Sequence, residues 1–303
     1  MITLRQLRFL VALTEERHFS RAAESCNVTQ PTLSSGLKEL EDMLGVQLAE
    51  RTKRSVLITP IGEEIAQRAR QLLIAASDIE QLATERRSPN SGNIRLGAIP
   101  TIAPYLMPKA LPLIHKAFPD LRVYLREELT ELLLDGLATG RLDAALIAKP
   151  FDIGNLETLD LFEDGYLLAT PRDYATAPIK VMHGADLEGS RLMLLERGHC
   201  LQRHALSAFP DHDIRQDDSF SATSLPTLIS MVAEGLGITL LPRLAVDAGI
   251  AAQHDVDLFP LADACPRQVV LAWRPTSARA KVFRQIADLL IKSRKALGGP
   301  ADA

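Results

Sequence analysis

The hydrophobic and polar positions near the N-terminus repeat with a helical period and predict two short helices around a tight turn. The first helix has an apolar face with spacings of three and four residues, formed by Phe19, Ala22, Ala23 and Cys26. The second helix has its own apolar stripe, formed by Leu33, Leu37, Leu40 and Leu44. Residues 27–28 make the turn, Thr29 is placed to cap the second helix, and Gly45 is placed to end it.

The outward positions of the second helix are short polar side chains, with one lysine further along. Such side chains read base edges or hold phosphates in helix-turn-helix proteins, which favours a DNA reader. They are Gln30, Thr32, Ser34, Ser35 and Lys38, with Pro31 tolerated in the first turn. Residues 51–59 predict a two-stranded wing whose cations, together with one from the first helix, contact phosphates. These cations are Arg51, Lys53, Arg54 and Arg21. The alternative reading is an ordinary helical hairpin with a polar outer face.

A long run without proline follows, and its apolar residues keep one helical stripe over residues 62–86. The stripe consists of Ile65, Ala69, Leu72, Leu73, Ala76, Ile79, Leu82 and Ala83. A helix of this kind does not bury such a stripe alone, so we expect a dimerisation helix. A helix packed on its own domain is the alternative. Residues 88–92 have the composition of a linker.

Beyond the linker the pattern changes to strands that alternate with helices. Strands are expected at 94–99, 121–125 and 144–147, with helices at 106–118 and 129–137. This βαβαβ order predicts a parallel, doubly wound sheet. A second set has strands at 166–169, 191–195 and 238–241 and helices at 200–209 and 225–234, and the chain ends with a strand at 269–273 and a helix at 279–295.

Composition and charge set bounds on the class of protein. The 303 residues are 47% hydrophobic and 24% charged, which fits two or three globular domains, and the chain has neither a membrane-spanning apolar run nor a cleavable signal pattern. Three cysteines, an odd number, argue against a disulfide scaffold and for a cytoplasmic location. The first 91 residues carry equal numbers of basic and acidic side chains, so the net charge of −4 comes from the remainder. Attraction to DNA is therefore local, and we expect at least a dimer on paired half-sites.

The N-terminal motif resembles that of LysR-type transcriptional regulators. The resemblance is carried by Ser20-x-Ala22-Ala23, by residues 29–34 and by the pattern Leu40-Glu41-x-x-Leu44-Gly45-x-x-Leu48-x-x-Arg51. Two mild departures are Ala49, where the family usually has an aromatic residue, and Gly36 inside the second helix, which should cost about 1 kcal/mol relative to alanine.

This resemblance implies an α/β protein with a winged helix-turn-helix, a long dimerisation linker helix, and two doubly wound α/β regulatory subdomains similar to periplasmic binding proteins. The expected boundaries are 1–60 for the DNA-binding domain, 61–91 for the linker helix and hinge, 92–160 with 266–303 for the first regulatory subdomain, and 161–265 for the second. The implied partners are promoter DNA, further copies of the chain in a homodimer or homotetramer, and RNA polymerase.

The two regulatory subdomains should enclose a cleft where strand ends and helix starts meet. The residues at these predicted junctions are Pro100, Thr101, Thr130, Thr223 and Ser224, and all of them except Pro100 carry hydroxyls. Each hydroxyl taken singly is more simply a helix cap, but as a set they favour a small polar or anionic ligand.

Gly198, His199 and Cys200 follow a predicted strand and begin a predicted helix. A helix start stabilises a thiolate, the form of cysteine that peroxides oxidise to sulfenic acid. A buried structural cysteine is the alternative. The other histidines, namely His115, His183, His204, His212 and His254, are expected at the surface.

The segment 198–201, with Pro100, Thr101, Thr130 and residues 222–225 and 237–242, resembles the OxyR-type branch of the family, which senses hydrogen peroxide. That resemblance implies that Cys200 reacts with peroxide, that Thr101, Thr130 and His199 hold peroxide or water beside it, and that Arg267 contributes charge. One departure is that Phe209 stands where this branch carries its resolving cysteine. Cys265 could replace it, or the sulfenic acid or a mixed disulfide with a small thiol could act as the signal.

Two further functions remain open at this point. The cleft could bind a small carboxylate metabolite without any redox role for Cys200, or the chain could be an enzyme of the thiol peroxidase type. The sequence contains no metal-spaced histidine and cysteine cluster, no phosphate loop and no nucleophilic triad. We therefore expect a regulator that is not an enzyme and that needs neither cofactor nor metal.

Overall fold

The computed structural model describes residues 1–51, 56–87, 90–172, 174, 181–196 and 198–298. The chain divides into two compact units, Met1–Arg87 and Ser88–Ala303. Each unit has a hydrophobic core of its own. Among the described residues, no helix is both long and apolar enough to cross a membrane.

The first unit is a helical domain with a small antiparallel hairpin. Its elements are α1 (Leu4–Glu16), α2 (Phe19–Ser25), α3 (Gln30–Leu44), β1 (Ala49–Arg51), β2 (Val56–Ile58) and α4 (Pro60–Arg87). The predicted ends of α3 are confirmed, because the Thr29 hydroxyl accepts a hydrogen bond from the Thr32 amide and Gly45 ends the helix at a φ of 67°. The hairpin matches the predicted wing, although residues 52–55 between its strands lie outside the described residues.

Gly36 in α3 has a packing reason that the sequence did not reveal. A Cβ at this position would lie 2.8 Å from the ring of Phe9 in α1, too close for any larger side chain. The absence of a side chain at Gly36 therefore allows α3 to pack tightly against α1, at a cost in helix propensity. Cys26, at the end of α2, is half-buried, and burial raises the pKa of its thiol.

The long helix α4 packs on its own domain over part of its apolar stripe, and its role in dimerisation stays a prediction. Its first turns pack on α1, where Ala66 and Ala69 are buried and Arg70 donates a 2.9 Å hydrogen bond to the Thr14 hydroxyl. Further along, Leu72 and Ile79 are 56% and 70% exposed. Leu72 and Ile79 thus give α4 exposed apolar surface.

The second unit is an α/β structure. In chain order it contains β3 (Gly92–Ala98), α5 (Ala103–Ala117), β4 (Leu121–Glu127), α6 (Thr130–Ala138), β5 (Ala144–Lys149), β6 (Glu157–Asp164), β7 (Tyr166–Pro171), a 3₁₀ turn (Gly184–Leu187), β8 (Arg191–Leu195), α7 (Cys200–Leu206), β9 (Arg215–Ala222), α8 (Leu225–Ala233), β10 (Thr239–Pro242), α9 (Arg243–Asp247), β11 (Val256–Pro260), β12 (Arg267–Trp273) and α10 (Ala280–Leu297).

A five-stranded sheet with the order β4-β3-β5-β12-β6 forms one part of this unit. The predicted βαβαβ arrangement is confirmed for β3, β4 and β5, which pair in parallel. The sheet as a whole is mixed, since β12 runs antiparallel to both β5 and β6. The late strand β12 therefore returns the end of the chain to the first sheet, as the resemblance implied.

The other part of the unit is less regular than a doubly wound sheet. Strands β8 and β9 pair in parallel, whereas β10, β7 and β11 form an antiparallel sheet. Strands β6, β9 and β11 were not predicted from the sequence. Strand β9 reads RQDDSFSA, and so few apolar residues give no strand period to detect.

Candidate functional site

Thr101 and Thr130 lie at the same edge of the five-stranded sheet, beyond the carboxyl ends of β3 and β4. The two ends are held together because the Glu128 amide donates a 3.3 Å hydrogen bond to the Ala98 carbonyl. Both threonines are 1% exposed. Thr130 is the first residue of α6, and among the described residues its hydroxyl has no hydrogen-bond partner. Buried hydroxyls without a partner are uncommon, so this edge has a place for a further polar group.

Arg267 lies fully buried beside Thr101 at the start of β12. Its guanidinium contacts the Asp164 carboxylate at 2.8 Å, and neither side chain reaches solvent. It also donates to the Thr101 hydroxyl at 2.8 Å and to the Thr101 carbonyl at 3.1 Å. The other Asp164 oxygen accepts from the Leu244 amide at 2.7 Å. The charge that the resemblance assigned to the site is thus balanced by a carboxylate, and Arg267 serves to fix Thr101.

The segment before α7 reaches this edge from the other side of the unit. Gly198 has a φ of +106°, in the region that favours glycine, and a Cβ there would lie 3.2 Å from the Leu129 side chain. His199 is half-buried, and burial lowers its pKa while Glu196 opposes that shift. Cys200 is the first residue of α7. Since Leu129 precedes Thr130, the chain immediately before Cys200 lies next to the start of α6.

The ends of β8 and β9 bring Thr223 and Ser224 near the segment before α7. The Glu196 amide donates a 3.0 Å hydrogen bond to the Ala222 carbonyl, one residue before Thr223. Ser224 caps α8, because its hydroxyl accepts a 3.4 Å hydrogen bond from the Thr227 amide. Its hydroxyl is therefore a helix cap, the simpler alternative to a ligand contact. Thr223 is exposed and Pro100 is half-buried. The side chain of Cys200 lies outside the described side chains.

His204 in α7 was expected at the surface, and this expectation was wrong. It is 2% exposed, with Nε2 3.2 Å from the Pro150 carbonyl oxygen and Nδ1 without a partner among the described residues. Burial, the charge of Arg267 and that of Arg203 lower the pKa of His204 to about 4. The apolar positions 201, 205 and 209 of the helix gave no sign of a buried histidine. Its spacing of four residues from Cys200 was the available signal.

Phe209 and Cys265 are neighbours at the far end of α7. Phe209 is 2% exposed and packs edge-on against His212, with a centroid distance of 6.3 Å. The position that carries the resolving cysteine in the OxyR-type branch is thus part of the apolar core here. Cys265 is an exposed free thiol whose amide donates a 2.8 Å hydrogen bond to the Ala208 carbonyl.

The outward face of α3 presents the residues predicted to contact DNA. Gln30, Pro31, Ser35 and Lys38 are exposed, and Thr32 and Ser34 are half-buried. The Gln30 side chain accepts a 3.2 Å hydrogen bond from Ser20, which links α2 to the start of α3. Arg21 is exposed and folds back on the Glu16 carbonyl at 2.7 Å. Lys53 and Arg54 lie outside the described residues, as does the side chain of Arg51.

A groove of about 540 Å³ lies beside α3, lined by Phe19, Leu37, Lys38, Glu41 and Ala49 among others. Ala49 is the position where LysR-type regulators usually carry an aromatic residue, so its small side chain leaves part of this groove open. The Glu41 carboxylate in its lining accepts hydrogen bonds from the Leu48 and Ala49 amides at 2.7 and 3.2 Å.

Comparison with protein families identifies both units. Residues 4–63 match the bacterial regulatory helix-turn-helix protein model of the lysR family, and residues 87–294 match the LysR substrate binding domain. The chain belongs to the LysR family of transcriptional regulators. Among the described residues of this regulator, no group of three or more His, Cys, Asp and Glu side chains is placed to hold a metal ion.

Known relatives place this LysR regulator near OxyR. It is 40% identical over 290 residues to the transcriptional regulator EstR of Acinetobacter baylyi, covering 95% of this chain and 96% of that protein. It is also 40% identical to the DNA-binding transcriptional dual regulator OxyR of Escherichia coli, covering 95% of each. These relatives are transcriptional regulators and not enzymes, and the chain is an OxyR-like DNA-binding regulator.

Solved structures of OxyR proteins share its fold. A full-length OxyR variant from Pseudomonas aeruginosa matches with a TM-score of 0.79 and 37% identity, covering 96% of this chain and 95% of that one. An OxyR mutant of Corynebacterium glutamicum, solved with bound hydrogen peroxide, matches with a TM-score of 0.67 and 31% identity, covering 98% and 94%.

Proposed function

We propose that this regulator senses hydrogen peroxide through Cys200 and changes transcription in response. The observation that carries the proposal is the buried Thr130 hydroxyl, which has no partner among the described residues and lies beside the segment that leads into Cys200. A small molecule with donor and acceptor groups would satisfy this hydroxyl. The similarity to peroxide-responsive OxyR proteins supports the same ligand.

The charge balance of the site favours a neutral ligand over a carboxylate. The one buried cation at this edge that the structure describes, Arg267, is already paired with Asp164 at 2.8 Å. An added carboxylate would therefore enter a buried region in which the nearest positive charge is compensated, and burying such a charge is unfavourable. Hydrogen peroxide carries no charge, and its two O–H groups and oxygen lone pairs match the hydroxyls of Thr101 and Thr130.

The reaction we propose is oxidation of the Cys200 thiolate. The sulfur attacks one oxygen of the peroxide, the O–O bond breaks, and the other oxygen leaves as hydroxide and takes a proton to form water. Cys200 becomes a sulfenic acid, oxidised by two electrons as the peroxide is reduced. Because Phe209 is a core side chain, the oxidised sulfur persists as sulfenic acid or forms a mixed disulfide with a small thiol.

The regulator acts on promoter DNA as an oligomer in this proposal. The exposed Gln30, Ser35 and Lys38 of α3 support base and phosphate contacts. Two exposed apolar surfaces support self-association into a homodimer or homotetramer. One is formed by Leu72 and Ile79 of α4, and the other by Tyr124, Leu125 and Leu132 of β4 and α6. RNA polymerase is the further partner that transcriptional regulation requires.

The proposal is tested by measuring intact mass and transcription together. Reduced protein is mixed with one equivalent of hydrogen peroxide and quenched within seconds, with Cys200→Ser as the matched variant. We expect a mass gain at Cys200 in the parent only, and peroxide-dependent transcription that Cys200→Ser abolishes. Unchanged mass and transcription in the parent would reject peroxide sensing. A rise in melting temperature on adding a small carboxylate, retained in Cys200→Ser, would instead identify a metabolite-binding regulator.

A further inference from the structure

His204 has a buried ring nitrogen that is available to a ligand. Its Nε2 lies 3.2 Å from the Pro150 carbonyl oxygen, which only accepts hydrogen bonds, so Nε2 carries the proton of the neutral ring. Nδ1 is then a hydrogen-bond acceptor, and among the described residues it has no donor. The ring is 2% exposed, so bulk water does not satisfy this nitrogen either. Such a buried nitrogen can accept a hydrogen bond from a ligand.

His204 lies in the same region of the unit as the site already described. His204 follows Cys200 by four residues in α7, and residues with this spacing share a face of a helix. Arg267 lies close enough for its charge to lower the pKa of His204, and the same guanidinium donates to Thr101. Cys200, His204 and the buried Arg267 therefore belong to one region of the unit.

We propose that Nδ1 of His204 accepts a hydrogen bond from the hydrogen peroxide molecule that binds beside Cys200, and so orients it for attack. This inference rests on the proposed function. In this arrangement the Thr130 hydroxyl supplies a donor to a peroxide oxygen and His204 supplies an acceptor for a peroxide O–H. Two buried groups that lack partners among the described residues thereby bind the same peroxide molecule.

His204 acts as an acceptor and not as a base. A ring with a pKa of about 4 holds a proton far less strongly than a cysteine thiol, whose ordinary pKa is about 8.5. Transfer of the thiol proton to His204 would thus be unfavourable. The neutral ring accepts a hydrogen bond throughout the reaction, and the proton that completes water comes from another donor.

The direct test uses the full-length Cys200→Ser variant, in which peroxide can bind without oxidising the site. Histidine ring nitrogens are labelled with ¹⁵N, and the His204 signals are assigned by their absence in a Cys200→Ser, His204→Gln double variant. We expect the Nδ1 resonance of His204 to move in a saturable manner as hydrogen peroxide is added. An Nδ1 resonance that does not move would overturn the proposal.

A kinetic comparison separates hydrogen bonding from packing. His204→Gln keeps an acceptor oxygen, whereas His204→Leu keeps volume without an acceptor. Peroxide should oxidise Cys200 about tenfold more slowly in His204→Leu, the effect of one hydrogen bond worth about 1.4 kcal/mol, and at nearly the parent rate in His204→Gln. Equal losses in both variants, or none in either, would contradict the acceptor role. Thermal unfolding and specific DNA binding of the reduced variants serve as controls.

The Nδ1 resonance in Cys200→Ser and the mass of the oxidised parent distinguish failure of the proposed function from failure of the role of His204. If peroxide moves the Nδ1 resonance in Cys200→Ser but leaves the mass of Cys200 unchanged in the parent, the sensing reaction is rejected and the acceptor role stands. If Cys200 is oxidised in the parent while the Nδ1 resonance stays fixed, peroxide sensing stands and the role of His204 is rejected.

Discussion

The amide nitrogen of Cys265 donates a hydrogen bond to the carbonyl oxygen of Ala208 over 2.8 Å. This bond fixes Cys265 next to Phe209, near the end of α7, whereas Cys200 begins the same helix. The seven residues of α7 span roughly 10 Å at the usual helical rise. A disulfide requires Cα atoms within about 7 Å of each other, so this placement at opposite ends of α7 disfavours a bond between Cys200 and Cys265 while the helix is intact.

The first prediction concerns the product of oxidation. With α7 intact, we expect peroxide to add one oxygen to Cys200 and leave Cys265 reduced, and intact mass after a rapid quench measures this directly. Cys265→Ser should give the same product at the same rate. A loss of two hydrogens in the parent, absent from Cys265→Ser, would instead show that Cys265 resolves the sulfenic acid.

The second prediction concerns the buried pair of Arg267 and Asp164. Replacing Arg267 with leucine leaves the Asp164 carboxylate buried without its cation, so the second unit should lose about 3–5 kcal/mol of unfolding free energy. The control is Arg172→Leu, because Arg172 and Asp255 are also 2.8 Å apart but exposed, and that pair should contribute less than about 1 kcal/mol.

Denaturant unfolding followed by tryptophan fluorescence measures both variants. Trp273 is the only tryptophan of the chain and is buried in β12, so its signal reports on the second unit. Similar losses of unfolding free energy in the two variants would contradict the prediction, because the contribution of the Arg267–Asp164 pair to stability would then not depend on its burial. Chemical rescue is not expected, since the site of Arg267 is closed to solvent.

The third prediction is a pH dependence of stability that originates at His204. Its pKa is lowered from 6.5 to about 4 by burial and by the charges of Arg267 and Arg203, and Asp164 balances Arg267. Between these two values the unfolded chain binds a proton that the folded chain does not, so stability falls as pH falls below 6.5 and this loss is complete near pH 4. From pH 7 to pH 5 the loss should be about 2 kcal/mol.

The comparison that checks this is the same unfolding measurement on His204→Gln, which removes the titrating ring. The parent and the variant share all carboxylates, so the difference between their stabilities isolates His204. We expect the parent to lose about 2 kcal/mol more than the variant over this range. Parallel pH profiles would mean that the ring is protonated equally in the folded and unfolded states.

The fourth prediction concerns DNA binding by α3. Lys38 is exposed and has no ion-pair partner among the described residues, so it is available to a phosphate. Lys38→Ala should weaken binding to all sequences alike and reduce the slope of log K against log salt by about 0.9 for each contact. Lys116→Ala, at an exposed lysine of the second unit, is the control. An unchanged slope for Lys38→Ala would exclude a phosphate contact.

Periodic elements were predicted well, and irregular ones were not. The helices around Thr29 and the parallel strands β3 to β5 were foreseen, because a single repeating face reveals each of them. Strands β6, β9 and β11 escaped, since they carry few apolar residues or lie at sheet edges. At Gly36 the sequence indicates only a loss of helix propensity. The structure explains the glycine, because a Cβ at this position would lie 2.8 Å from the Phe9 ring.

The sequence by itself determined the family, the helix-turn-helix and the parallel strands β3 to β5, since these depend on local pattern and residue type. Tertiary structure alone decided the environments of His204 and Arg267. It buried His204, which had been expected at the surface, and neutralised Arg267 with Asp164, which precedes it by more than a hundred residues. Burial and charge compensation depend on groups that come into contact only after the chain has folded, so the linear sequence does not reveal them.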